Sequence, residues 1–279
     1  MTTRRVLAAF LLGALPACGI ARAADSPPAE EGTFTSEGAR LAYSITWPSG
    51  DAEVPGVVLV HGSGQITRSM HSGLVERFVG MGFAVLAYDK RGTGASEGRY
   101  SGVGPLNSDT LIPLLARDAA RAVEVLAGQS RILRGRVGLA GGSQAGWIIP
   151  PASAFARVPV AFGLILVGPT VTVGEEMFYS ELVEHGARTV AEGHAALPSF
   201  AGPRGFDPMP WVERMHMPTL WLYGDEDRSI PTVACVERFS GLAADLRAWH
   251  TVRRYPGLGH GLDSSIWRDV AAWLAHVPT

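Results

Sequence analysis

Two serines in this chain sit in the glycine-rich surroundings that a nucleophilic hydroxyl needs. The strict pattern Gly-x-Ser-x-Gly occurs at Gly94-Ala95-Ser96-Glu97-Gly98, and a relaxed form at Gly141-Gly142-Ser143-Gln144-Ala145-Gly146. The pattern alone decides nothing in a chain with 34 glycines. A nucleophile elbow needs a strand running straight into the serine and a helix leaving it, so that a strained turn lifts the hydroxyl off the sheet. Ser143 follows the apolar Val137-Gly138-Leu139-Ala140 and precedes a helical stretch from Gln144 to Ile149, where Pro150-Pro151 is expected to stop or kink it. Ser96 follows the polar run Lys90 to Gly94 and leads into Glu97-Gly98-Arg99. Ser143 is the candidate nucleophile, and Ser96 reads as a loop residue.

A serine hydroxyl needs a base, and the base needs an orienting carboxylate. Of eight histidines, His260 stands apart in Gly257-Leu258-Gly259-His260-Gly261, between the last strand-like run and the last helical one. There an imidazole can swing over a sheet edge. His71, His185, His194, His216, His250 and His276 lie in helical, strand or cap-like surroundings and read as surface or packing residues. The acid is expected where Trp221-Leu222-Tyr223-Gly224 ends, in Asp225-Glu226-Asp227. Strand alternation does not choose among these three, because the chain has left the strand at Gly224. Asp225 is placed to close the turn through its own backbone, and Glu226 reads as solvated. The backbone N–H of Gln144, first at its helix start, points at any oxygen held over Ser143. A second donor is expected from Ser63, in the His61-Gly62-Ser63-Gly64 turn after Val57 to Val60.

These residues require a scaffold of alternating strands and helices. Thr33 to Ser36 and Leu41 to Trp47 flank Glu37-Gly38 and read as a half-buried hairpin. Then come short apolar runs at 57–60, 83–88, 137–140, 162–167, 219–223 and 249–255, several continuous enough to be buried on both faces as parallel strands are. Helical patterns lie between them, near 69–81, 110–127, 144–156, 231–242 and 266–277. This alternation implies one α/β domain over 33–279 with a mostly parallel sheet. Residues 170–215 break the rhythm with a single expected helix, 174–192, and then Gly/Pro-rich chain. A connection of that length inside a compact domain is expected to form a cap or lid.

Composition narrows the function further. The chain has 279 residues, is 47% hydrophobic and 18% charged, and carries a formal net charge of −2. With no run of like charges, neither a nucleic-acid partner nor a polybasic membrane contact is indicated. Lys90 is the only lysine among 24 basic residues, a skew that carries no functional weight as sequence alone. Two cysteines make no disulfide framework. At the N-terminus, Arg4-Arg5, an apolar stretch from Val6 to Ala17 and Ala21-Arg22-Ala23 have the layout of a signal peptide over 1–23. The apolar stretch is too short to span a bilayer in the mature protein. Thr3 to Leu7 resembles a twin-arginine export signal, and Leu15-Pro16-Ala17-Cys18 resembles a lipoprotein box with proline at a position where it departs from the pattern. Export is therefore expected, with release after Ala23 or a lipid anchor on Cys18 as the two forms. Residues 24–32 read as a linker.

Taken together, the chain resembles the α/β-hydrolase fold superfamily, and its Gly-Gly-Ser-Gln-Ala-Gly-Trp elbow is similar to bacterial serine esterase-type members. The likeness runs from about Thr33 to the C-terminus. It rests on His61 to Gly64, Tyr88 to Ser96, Gly141 to Gly146, Gly224 to Pro231 and Gly257 to Gly261, in that order. Ala145 stands where glycine is commoner. The resemblance implies a central sheet of about eight strands, mostly parallel and flanked by helices, with a small cap. It favours Asp227 as the acid, since Gly224 to Pro231 matches G-x-x-D-x-x-(I/V)-P, and implies structural roles for Asp89 and Arg91. The expected activity is hydrolysis of small to medium carboxylic esters by Ser143, Asp227 and His260 through an acyl-enzyme. No cofactor or metal is called for. Thioester, amide and carbon–carbon bond hydrolysis are the competing reactions, and a non-catalytic binding protein on the same fold is the competing class. Trp147, Phe178, Tyr179 and Trp211 are the expected lining of the substrate pocket, with Met209 beside them. Oligomeric state has no signature in the sequence.

Overall fold

A computed structural model of the chain describes residues 29–277. The signal peptide and most of the linker read from the sequence lie outside the described residues.

The first strand, β1 (Ala29–Ser36), begins earlier than its sequence suggests. It pairs antiparallel with β2 (Ala39–Thr46) along its whole length, from Ala29 opposite Thr46 to Ser36 opposite Ala39. That ladder draws residues 29–32, expected in the linker, into the sheet. The hairpin between the two strands turns on Glu37 and Gly38, both with positive φ, the conformation that matches the right-handed twist of the strands.

From β2 onward the apolar runs form the sheet interior. The other strands are β3 (Val54–Val60), β4 (Ala84–Tyr88), β5 (Ile132–Gly142), β6 (Gly163–Leu166), β7 (Thr219–Gly224) and β8 (His250–Tyr255). The eight strands lie in the order β1-β2-β4-β3-β5-β6-β7-β8. The pairs involving β1 and β2 are antiparallel, and every pair from β4 to β8 is parallel. β4 and β7 are buried at every position because helices cover both faces of the sheet.

Alternation along each strand divides the core in two. Val58, Val60, Leu86, Leu139, Trp221 and Tyr223 face one side, where α2 (Ser108–Ala127), α3 (Ala145–Phe155) and α7 (Thr232–Ser240) pack. Val57, Leu59, Val85, Leu164, Leu220 and Leu222 face the other, against Phe78 of α1 (Ser72–Gly80) and Ile266 and Val270 of α9 (Ile266–Leu274). α3 does not stop at Pro150-Pro151 but runs through to Phe155. Proline there removes two helix hydrogen bonds. Complete burial of Ala145 to Ala152 in the core offsets that loss.

The segment 170–215 contains no strand. Instead of one helix over 174–192 it forms α4 (Val173–Val183) and α5 (Val190–Ala196), followed by the short α6 (Met209–Val212). The break has a local cause. Thr189 starts a second helix with its own capping box, accepting from the Glu192 N–H while the Glu192 carboxylate accepts from Thr189. Thr172 and Glu175 do the same for α4, and Glu175 also pairs with Arg204 and Arg238. One more short helix, α8 (Ala244–Arg247), precedes β8.

Candidate active site

The residues singled out from the sequence converge at the C-terminal ends of the parallel strands, the edge where open α/β sheets bind ligands. Ser143 directly follows β5, and Gln144 after it caps α3. Its φ of 54° lies in the left-handed region, an uncommon and strained conformation for a side chain bearing Cβ. The turn closes only because its neighbours are small. A Cβ on Gly141 would lie 2.4 Å from the Val60 carbonyl oxygen, and one on Gly146 would lie 2.6 Å from the Gly168 backbone. Ser96 is occupied otherwise: its hydroxyl donates to the Asp89 carbonyl at 2.7 Å and accepts from the Ala42 N–H at 2.9 Å.

Among the three carboxylates after β7, only Asp227 meets the histidine. Its Oδ2 lies 3.0 Å from His260 Nδ1, and its Oδ1 accepts from the backbone N–H groups of Ser229 and Ile230, each at 2.8 Å. Asp227 is fully buried, which holds this geometry rigid. Asp225 instead pairs with Arg254 at 2.7 Å, and Glu226 is exposed. Arg228 does not draw Asp227 outward, because its guanidinium donates to the Val183 carbonyl. Burial alone would lower the His260 pKa. The hydrogen bond and charge of Asp227, with Glu184 and Glu176 behind it, outweigh burial and hold it above the usual imidazole value.

Ser143 and His260 line two cavities together. One, of about 410 Å³, is bounded by Leu74 and Arg77 of α1 and by Leu262 and Trp267. The other, of about 380 Å³, contains Ser63, Gln144, Trp147 and Glu176. No hydrogen bond joins the Ser143 hydroxyl to His260 among the described residues. Catalytic hydrogen bonds are often long before substrate binds. A larger cavity of about 1520 Å³ lies beside β1, β2 and α1 and includes none of Ser143, Asp227 and His260.

Of the four expected pocket residues, Trp147 alone lines a cavity with Ser143, its indole N–H anchored on the Val171 carbonyl at 3.0 Å. Phe178 packs against Phe200 with ring centroids 5.4 Å apart. Tyr179 is fully buried and donates to the Asp227 carbonyl at 2.8 Å. Trp211 stacks edge-on against Phe155, and Met209 is core. Large apolar side chains are most often buried for packing, and helix periodicity does not mark which of them turn toward a cleft.

Two residues near the site escaped the sequence reading. Glu176, on α4, lines the second cavity, where burial pushes its carboxyl up to about 8 against the pull of His260. In sequence it is indistinguishable from an ordinary acidic residue in a first helical turn. Lys90 lies fully buried behind Ser63 and Gln144, and its solitude among the basic residues was the one available signal. Asp89 and Arg91 do carry structure: Asp89 accepts from Arg68 and the Ala95 N–H, and Arg91 pairs with the buried Asp118.

Comparison with known proteins agrees with this architecture. A sequence family described as serine aminopeptidase, S33 matches residues 54–199, more than half of the chain. An uncharacterized protein of Mycobacterium tuberculosis is 30% identical over 242 residues, covering 84% of this chain and 74% of its own. Among solved structures, acetyl xylan esterase 1 from a Thermoanaerobacterium species superposes with a TM-score of 0.67 at 17% identity, over 93% of this chain and 86% of that one. A Pyrococcus furiosus esterase gives 0.66 at 14% identity, over 90% and 94%. A 2,6-dihydroxy-pseudo-oxynicotine hydrolase gives 0.66 at 17% identity, over 90% and 68%. At these identities the structural likenesses show the fold. The chain belongs to the α/β-hydrolase superfamily, within the family described as serine aminopeptidase, S33. It is a hydrolase.

Proposed function

We propose that this hydrolase cleaves carboxylic esters with small to medium acyl groups through a covalent intermediate on Ser143. The observation that carries the reading is the strained Ser143 turn sharing its cavities with His260, whose Nδ1 is held by the buried Asp227. With its Nδ1–H donated to Asp227, neutral His260 keeps Nε2 free to accept a proton. Ser143 Oγ attacks the ester carbonyl carbon as its proton passes to His260, and the N–H groups of Gln144 and Ser63 receive the oxyanion. Collapse breaks the bond to the alcohol, which leaves with the proton from His260. Water, deprotonated by the same imidazole, then attacks the acyl-enzyme and releases the acid. The cavities of about 410 and 380 Å³ that Ser143 lines suit compact acyl and alcohol groups. Peptide hydrolysis is the second reading, favoured by the description of the matched family.

The test is turnover of a panel of p-nitrophenyl esters, thioesters and aminoacyl amides by the purified protein. Ester turnover well above the other two supports the proposal, and amide turnover with inert esters sinks it. The pH profile adds a second check. Only neutral His260 is a base, so kcat/KM rises with pH through its pKa. Because Asp227 raises that pKa, the rising limb is expected above the ~6.5 of an unperturbed imidazole. A limb centred below 6 would contradict the pairing.

Export is part of the same proposal and rests on the residues before 24. Among the described residues no helix is long and apolar enough to cross a membrane. Expression in a bacterial host is expected to yield an N-terminus near Ala24 or a lipid-modified Cys18. A cytoplasmic protein retaining Met1 would overturn it.

A further inference from the structure

A buried ammonium without a counterion is costly unless hydrogen bonds or a nearby negative charge compensate it. Lys90 is such a group. It is fully buried at the end of β4, and no carboxylate lies within ion-pair distance of it among the described residues. The neighbouring Asp89 is taken by Arg68 at 2.6 Å. The Lys90 Nζ donates instead to three neutral oxygens: the Gly62 carbonyl at 2.6 Å, the Gly64 carbonyl at 2.9 Å and Gln144 Oε1 at 3.1 Å. The Tyr100 ring covers it, with Nζ 4.0 Å from the centroid. Its own backbone N–H donates to the Ile66 carbonyl at 3.0 Å, so the loop after β3 is tied to this residue at Gly62, Gly64 and Ile66.

These acceptors are not arbitrary. The Gly62 carbonyl and the Ser63 N–H belong to one peptide unit, and in a planar trans peptide they point in opposite directions. Drawing the Gly62 oxygen back onto Lys90 therefore turns the Ser63 N–H away from Lys90. The third acceptor is the side chain of Gln144, the residue that bears the other N–H donor. We infer that Lys90 is the positioning residue of the oxyanion site: one ammonium fixes the peptide bearing the Ser63 N–H and the Gln144 side chain, and places an uncompensated positive charge behind both donors. The inference rests on the acyl-transfer reading of Ser143 given above. Its consequence is that the anion formed during attack on the carbonyl supplies the countercharge that the resting protein lacks, which favours the transition state over the bound ester.

The surroundings support a charge that responds to pH. The titratable and charged groups around Lys90 are His61, His71 and Tyr100, with Tyr88, Asp89 and Arg91 beside it in sequence. His61 is held well below its ordinary value by burial and His71 is lowered to about 4, also by burial, so both are neutral near pH 7. Tyr88 is pushed up by burial and stays protonated. Burial lowers Lys90 itself to about 7. Deprotonation leaves two N–H groups for three oxygens and removes the charge.

The experiment compares wild-type protein with Lys90→Met on p-nitrophenyl acetate, with active sites counted by a fluorophosphonate label on Ser143. Methionine fills the same space without a donor. Per labelled site, kcat is expected to fall on the order of 10², as for loss of one oxyanion donor, with KM changed less than about threefold. A kcat per site within threefold of wild type overturns the inference, because a merely structural lysine would lower the labelled fraction and not the rate per site. If the variant does not fold, the wild-type profile decides. kcat/KM is expected to fall on the alkaline side as Lys90 loses its proton, and a profile flat to pH 10 overturns the inference. A wild-type protein that neither turns over any ester nor takes the label refutes the acyl-transfer reading itself, and the role assigned to Lys90 with it.

Discussion

Replacing Ser143 by alanine is expected to lower kcat for ester hydrolysis on the order of 10⁶ and to abolish fluorophosphonate labelling. The size follows from the role: without the hydroxyl no acyl-enzyme forms, and only the polarising N–H groups remain to assist direct attack by water. Alanine keeps the Cβ, so the left-handed backbone at position 143 and the contacts of Gly141 and Gly146 are undisturbed. The folded state should therefore survive, and a thermal melt within a few degrees of wild type is part of the expected result. Ser96→Ala is the control. It removes hydrogen bonds to the Asp89 carbonyl and from the Ala42 N–H, which at about 1 kcal/mol each lowers stability and leaves labelling intact. Label on Ser96, or turnover surviving Ser143→Ala, would refute the assignment.

Asp227→Asn is expected to cost on the order of 10⁴ in kcat, while Asp225→Asn stays within a few-fold of wild type. The substitution separates charge from fold. An asparagine can present its oxygen to the N–H groups of Ser229 and Ile230, as Asp227 Oδ1 does now, and so keep the turn. Its amide nitrogen then faces His260 Nδ1. A donor there favours the tautomer protonated on Nε2, which cannot accept the serine proton. The charge that raises the His260 pKa is lost as well, so any residual activity should show its acid limb at lower pH. Asp225 pairs with Arg254 at the surface, an exposed ion pair whose loss alters stability by about 1 kcal/mol or less. Equal losses in the two variants would overturn the choice of acid.

The two predictions differ in how far the sequence could carry them. Ser143 was legible from local pattern, because a strand, a glycine-rich turn and a helix must be consecutive for the elbow to form. The Glu37-Gly38 hairpin was legible for the same reason. Asp227 was reached only through resemblance to a family motif. Locally, Asp225, Glu226 and Asp227 are three acidic residues beyond the end of β7, and what distinguishes them is which one the β8–α9 loop approaches with His260. The pocket was read poorly. Phe178, Tyr179 and Trp211 are large and apolar, as pocket walls are, but they pack against Phe200, the Asp227 backbone and Phe155. The charged Glu176 and the α1 and α9 residues that border the site gave no local sign.

Continuous apolar runs and turn chemistry act over a few neighbouring residues, so local pattern determined the parallel strands, the elbow and the loop bearing His260. The packing of separate elements decided the rest. It closed the ladder from Ala29, split the helix expected over 174–192 at Thr189, carried α3 through its two prolines and placed Lys90 behind the loop of Ser63. A buried ammonium held by Gly62, Gly64 and Gln144 joins partners as many as 54 positions from Lys90 in the chain. Its role follows from the direction of one peptide plane, and that direction exists only once β3, β4 and β5 lie side by side.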